Sequence, residues 1–237
     1  MARTPVWKSI AIALTGDIAQ GRYASGGKLP PESQLAARFG VNRHTVRRAL
    51  AGMAEQGLVH ARRGAGVFVT AAPADYPIGK RVRFHQNLAR AGRAPAKQVL
   101  ALERRTAGTR EAEALGLEPG AEVVVYDGLS LADGRPLALF QSIFPADRLG
   151  GMLEALAEQS SVTAALKACG VEDYTRVETR ITAKLATAAQ ALHLQISEGS
   201  PILRTTGMNA DPEGRPVEFG RTWFAGDRVA LTVGAEA

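Results

Sequence analysis

The 237-residue sequence predicts an α+β chain in two parts: a small helical unit closed by a β-hairpin, then a larger unit built on an antiparallel sheet. Three observations carry this expectation. Residues 1–76 hold 10 Lys and Arg against 4 Asp and Glu, whereas residues 77–237 hold 19 of each. Apolar residues in the first part recur at helical spacing. Two later stretches repeat one another, with Gly-Arg-Pro triplets beginning at Gly134 and Gly214.

The first helix is expected from Val6 to Gln20, where Trp7, Ile10, Ala11, Leu14 and Ile18 form one apolar face that ends at Gly21. Pro30, Pro31 and Glu32 open a second helix, because proline suits a first turn and an acid suits the positive end of the dipole. Leu35, Ala36 and Phe39 give it an inner face, and Gly40 stops it. Asn42 caps a third helix, Arg43 to Gln56, whose Val46, Ala49, Leu50 and Met53 share one arc. Arg43, His44, Arg47 and Arg48 occupy the other side, with Thr45 beside them.

Two helices joined by a tight turn, the second basic on its outer face, match a helix-turn-helix. Arginine suits such a helix because its fork meets both acceptors of guanine at once. A solvated basic face on an ordinary surface helix is the competing reading, and a solubilising surface explains the charge excess equally well. The next segment argues against both. Leu58–Arg62 and Val67–Thr70 are short β-type runs joined by Arg63-Gly64-Ala65-Gly66. A glycine-rich basic hairpin after such a helix is a wing: Arg62 and Arg63 supply charge, while Gly64 and Gly66 allow close backbone approach. The first part is therefore expected to be a winged helix-turn-helix.

The string from Leu29 to Leu50, with Gly57-Leu58-Val59 and Gly64-Ala65-Gly66-Val67-Phe68-Val69, resembles the signature of GntR-family transcription regulators. The resemblance implies that Arg43 and Arg47 read bases, that Ser33, His44 and Thr45 contact phosphate or groove, and that Arg63 and Gly64 lie at the wing tip. The domain boundaries expected are 1–72 for DNA binding, 73–79 for a linker and 80–237 for the second domain. The linker is read from the small residues and prolines between Thr70 and Pro77.

In the second part, Leu115–Gly120, Val123–Val125, Gly134-Arg135-Pro136 and Phe144 align with Leu192–Leu194, Gly199, Ile202-Leu203, Gly214-Arg215-Pro216 and Phe224. Each copy reads as short helix, strand, turn, strand, so two hairpins would join one antiparallel sheet with pseudo-twofold symmetry. Chance similarity of two hairpins is the alternative, since Gly and Pro mark turns everywhere. Further strands near Leu100–Thr106 and Tyr174–Leu185 would extend the sheet. Helices near Ala146–Glu158 and Val162–Ala168 would cover a face. This pattern resembles the effector-binding (UTRA) domain of the HutC subfamily, which has the chorismate lyase fold without its catalytic function. Asp75-Tyr76-Pro77, Arg83–Leu88, Gly92, Pro95 and Thr179–Ala183 further resemble the subfamily's regulators of phosphonate utilisation.

The resemblance implies a cavity for a small anionic effector, lined by Arg83, Phe84, His85, Asn87, Ser161, Glu218 and Phe224. Arg180 and Arg221 are further candidate cations. Two arginines found in sugar-phosphate-binding relatives are replaced by Gly128 and Ser130. A phosphonate or phosphate ester is thus favoured over a sugar phosphate or a histidine-pathway acid. Expected partners are double-stranded operator DNA, the effector and a second copy of the chain, the homodimer offering two recognition helices to a pseudo-palindrome. Repression is the implied mode.

An enzyme of chorismate-lyase type is the remote alternative. No nucleophile–histidine pattern, phosphate loop or metal spacing supports it: the histidines are His44, His60, His85 and His193, and the single Cys169 excludes an intrachain disulfide. Glu178 and Glu218 can be read as a carboxylate pair, although strand-exposed acids are commoner. No catalytic residue, metal or cofactor is expected. A non-specific nucleoid binder would have no use for the second domain. The longest apolar runs are a few residues, such as Val123–Val125, and Met1–Lys8 lacks the apolar core of a secretion signal. A cytoplasmic protein without a membrane partner is the expectation.

Overall fold

A computed structural model describes residues 5–62, 64–70, 73–79, 94–159 and 161–233. They divide into two compact units, Met1–Ala72 and Pro73–Ala237. The first contains α1 (Val6–Ala19), α2 (Glu32–Phe39), α3 (Arg43–Glu55), β1 (Val59–Arg62) and β2 (Gly66–Val69). Its core is the set of faces read from periodicity: Ile10 and Leu14 of α1, Leu35 and Ala36 of α2, and Val46, Ala49, Leu50 and Met53 of α3 are buried together.

Asn42 caps α3, its Oδ1 accepting from the Thr45 N–H and hydroxyl, each at 2.9 Å. The wing pairs from Val59↔Val69 to Arg62↔Gly66. The segment before α2 adds to it: Leu29 N–H donates to Val67 at 2.8 Å, and Val69 N–H donates to Gly27 at 2.8 Å. Asp17, buried on α1, pairs with Arg22 at 2.8 Å and with Arg38 of α2 at 2.6 Å. Neither of these last two features was visible as hydrophobic patterning.

The second unit contains β3 (Ala74–Pro77), β4 (Pro95–Thr106), α4 (Thr109–Leu115), β5 (Glu122–Ala132), β6 (Arg135–Pro145), α5 (Met152–Glu158), α6 (Val162–Ala168), β7 (Thr175–Leu185), α7 (Ala188–Leu194), β8 (Pro201–Ala210), β9 (Pro216–Ala225) and β10 (Val229–Thr232). Six strands form one antiparallel sheet in the order β4-β5-β6-β9-β8-β7. The sequence repeat is its organising element. Strand–helix–strand–strand occurs twice, and the halves meet where Gln141 of β6 pairs with Arg221 of β9.

The sheet's two faces carry different covers, as the period-two alternation of side chains requires. On one, α4 packs through Leu115 on Val123, Val125 and Ile143, and α7 packs through Ala191 and Leu194 on Ile202, Leu139 and Trp223. On the other, α5 and α6 bring Met152, Leu156 and Leu166 onto Val124, Tyr126 and Phe144. Residues 73–79 depart from the linker reading. β3 pairs in parallel with β10, and Ala74 and Tyr76 are buried against Leu137, Ala138 and Phe224. Alternation of buried and exposed residues over only four positions was too short to outweigh the prolines.

Candidate functional site

The helix-turn-helix presents Arg43, His44 and Arg47 on the exposed side of α3, with Thr45 half-buried and Ser33 exposed on α2. Arg47 is not free. Its guanidinium makes a two-pronged contact with Glu32 of α2, Nε to Oε1 at 3.0 Å and Nη2 to Oε2 at 2.7 Å. That hydrogen bonding holds the Glu32 carboxyl below the usual carboxylate range. Arg48 is turned toward α1, its guanidinium 5.0 Å from the Trp7 ring centroid. Gly64 and Gly66 lie in the hairpin, both exposed, and Arg62 ends β1. Arg63 lies outside the described residues.

A cavity of about 450 Å³ opens on the sheet face that carries α5 and α6, within the range of small-molecule sites. Its floor is the sheet: Lys97 of β4, Ser130 of β5, Phe140 and Ser142 of β6, Glu218, Thr222 and Phe224 of β9, Thr205 and Asn209 of β8, Arg176 and Thr179 of β7. Ser161–Ala164 and Lys167 form one wall, with Tyr76 and Tyr174 at others. Ser161 caps α6 by accepting from the Ala164 N–H at 3.3 Å.

Two ionic arrangements dominate this floor. The Lys97 ammonium lies 4.9 Å from the Phe140 ring centroid and 5.6 Å from that of Tyr126. Burial pushes it down to about 8, against the opposing pull of the Glu218 charge. Glu218 is itself buried, its Oε1 accepting from Ser142 Oγ and its Oε2 from Asn209 Nδ2, each at 2.6 Å. Arg176 Nε donates to Asn209 Oδ1 at 2.7 Å and so fixes which way that amide faces.

The cavity gathers Ser161, Glu218 and Phe224 of the residues expected there. Arg83, Phe84, His85 and Asn87 lie outside the described residues. The structure does not bring Arg180 or Arg221 to the cavity. Arg180 is exposed on the edge strand, 3.4 Å from Glu178. Arg221 points to the opposite face, where it donates to Gln141 at 3.0 Å and lies 3.5 Å from Glu111. Strand parity explains the Arg221 miss: 218, 222 and 224 share a face, and 221 does not.

Lys97 and Arg176 escaped sequence reading because single cations on edge strands look like solvated residues. Lys97 lies directly opposite Ser130 in the register, so it brings charge to one of the two places where the sequence-level resemblance leads one to expect an arginine. Gly128 cannot carry one. A Cβ there would be 2.6 Å from Phe140 Cζ and 2.8 Å from the Gln98 carbonyl.

Residues 7–69 match the family of bacterial regulatory proteins named gntR, and residues 90–230 match the UTRA domain. An uncharacterized HTH-type transcriptional regulator of Rhizobium meliloti is 44% identical over 229 residues, covering 96% of this chain and 94% of that one. The probable transcriptional regulator PhnF of Escherichia coli is 35% identical over 237 residues, with 96% and 94% covered. The crystal structure of PhnF from Mycobacterium smegmatis superposes with a TM-score of 0.68 at 26% identity, covering 96% of this chain and 99% of that one. These are regulators and not enzymes, and no helix among the described residues is long and apolar enough to cross a membrane. The chain therefore belongs to the GntR family of transcriptional regulators, with the HutC-type architecture of a winged helix-turn-helix followed by an antiparallel-sheet UTRA domain.

Proposed function

We propose that the chain is a homodimeric repressor of phosphonate uptake or degradation genes, released from a palindromic operator by a small phosphonate or phosphate ester. Residues 1–72 bind DNA and residues 73–237 bind the effector. Arg43 and Arg47 read base edges; Ser33, His44, Thr45 and the wing at Arg62–Gly66 hold phosphate and groove; Arg48 adds charge from the α1 side. Most of the affinity comes from phosphate contacts and falls with salt, whereas the arginines discriminate sequence. Phosphonate as the effector class follows from the sequence resemblance to regulators of phosphonate utilisation, and the similarity to PhnF over 96% of the chain is in keeping with it.

The observation that carries the effector reading is the Lys97 ammonium, which faces the cavity with aromatic rings rather than, among the described residues, a carboxylate beside it. A charge so placed gains most when an anion arrives. Effector binding shifts the dimer toward a head spacing that fits the two half-sites poorly, and DNA must weaken effector binding by the same factor. Fluorescence anisotropy with promoter duplex, titrated with alkylphosphonates at fixed salt, tests this. Phosphonate should release the specific complex and leave binding to scrambled duplex unchanged. Equal phosphonate affinity with and without operator would sink the coupling.

A further inference from the structure

Of the charged side chains on the cavity, Lys97 and Glu218 are opposite in sign and form no ion pair with one another. Among the described residues, Lys97 Nζ makes no hydrogen bond and has no carboxylate at ion-pair distance; it lies against the Tyr126 and Phe140 rings. Glu218 is the complement: a buried carboxylate that, among the described residues, accepts only from two neutral donors, Ser142 and Asn209. The guanidinium nearest in this network, that of Arg176, bonds Asn209 rather than Glu218. It orients a donor instead of neutralising the acid.

Each Glu218 oxygen has accepted one hydrogen bond and keeps capacity for another. A buried charge without a direct ion pair is unfavourable, and two such charges of opposite sign on one cavity are relieved together by a ligand carrying both. Resting on the reading of this cavity as the effector site, we infer that the effector is dipolar. Its anionic head lies against Lys97, and a protonated amine a few bonds away donates to Glu218, as a short aminoalkylphosphonate would. A purely anionic phosphonate satisfies Lys97 and leaves Glu218 as it was, or adds repulsion.

The test uses the full chain, titrated calorimetrically with 2-aminoethylphosphonate, ethylphosphonate and β-alanine. The amine-bearing phosphonate should bind about 30-fold or more tightly than ethylphosphonate, the loss expected when a buried charge goes unpaired. Glu218→Gln should bring the two phosphonates within a few-fold of each other. Glutamine is tolerated there, since its amide can donate to Ser142 Oγ while its oxygen accepts from Asn209. Lys97→Met should weaken all three ligands.

Equal affinity of wild-type protein for both phosphonates overturns the dipolar inference, needs no variant, and leaves the anionic-effector reading standing. Binding of β-alanine without either phosphonate overturns the phosphonate reading and upholds the dipolar one. No binding by any of the three overturns both.

Discussion

Lys97→Met should make the protein more stable at neutral pH while removing its response to effector. Burial lowers the Lys97 ammonium from 10.5 to about 8. The folded chain therefore releases this proton near pH 8 and the unfolded chain near pH 10.5. Between those values the unfolded state binds more protons, so the wild-type contribution to stability rises with pH across that window and is lost as pH falls through about 8. A shift of this size corresponds to about 3 kcal/mol at pH 7, at about 1.4 kcal/mol for each pH unit. The contacts with Tyr126 and Phe140 offset it by about 1 kcal/mol each.

The net gain of Lys97→Met at pH 7 is then about 1–3 kcal/mol, since methionine keeps the apolar stem and packs well on rings. Burial also raises the Tyr76, Tyr126 and Cys169 groups, which weakens the fold at high pH in both proteins. The informative quantity is the difference between the two proteins. Urea denaturation at pH 7 and near pH 10, followed by Trp223 fluorescence in a Trp7→Phe background, reads it. The variant's advantage should shrink as pH rises. A variant less stable at pH 7, or an advantage independent of pH, would refute the claim that this ammonium is desolvated.

Arg47→Ala should reduce discrimination between operator and mismatched duplex by about 1–3 kcal/mol in anisotropy titrations, with effector binding by calorimetry unchanged. Asn42→Ala should destabilise the first unit by about 1 kcal/mol through loss of the α3 cap, measured by urea denaturation followed by Trp7 fluorescence. Gly128→Ala should cost about 1–3 kcal/mol in urea denaturation, because the new Cβ meets a fixed carbonyl as well as the Phe140 ring. It should also weaken effector binding, since that ring flanks Lys97.

The first unit was legible almost residue by residue because helical periodicity, caps and a glycine hairpin are local signals. The core residues Val46, Ala49, Leu50 and Met53 and the Asn42 cap were all named from spacing alone. What spacing did not give was long-range chemistry, such as the Asp17–Arg38 and Glu32–Arg47 pairs between helices. In the second unit the Gly-Arg-Pro repeat revealed the hairpins, yet it says nothing about which face each strand turns to the cavity. Ser161, Glu218 and Phe224 were reached through resemblance, while Lys97 and Arg176 become cavity residues only once β4 and β7 lie at the two ends of one sheet, and Asn209 only once β8 pairs with β9 beside Glu218.

The duplication also accounts for how a symmetric frame yields an asymmetric cavity. Gly128 and Gly207 occupy matching places, each leaving no room for a side chain beneath a carbonyl of the adjacent edge strand, Gln98 in one half and Glu178 in the other. In the first half the freed space is taken by the Phe140 ring, in the second by the Arg176 guanidinium. The helices α4 and α7 repeat on one face, whereas α5 and α6 follow only the first half and pack mostly on its strands β5 and β6 on the other face, reaching Val217 of β9. The result is a floor with a ring-flanked ammonium toward one edge and a polar Arg176–Asn209–Glu218 chain toward the other. A ligand with like chemistry at both ends suits such a floor less well than one whose ends differ.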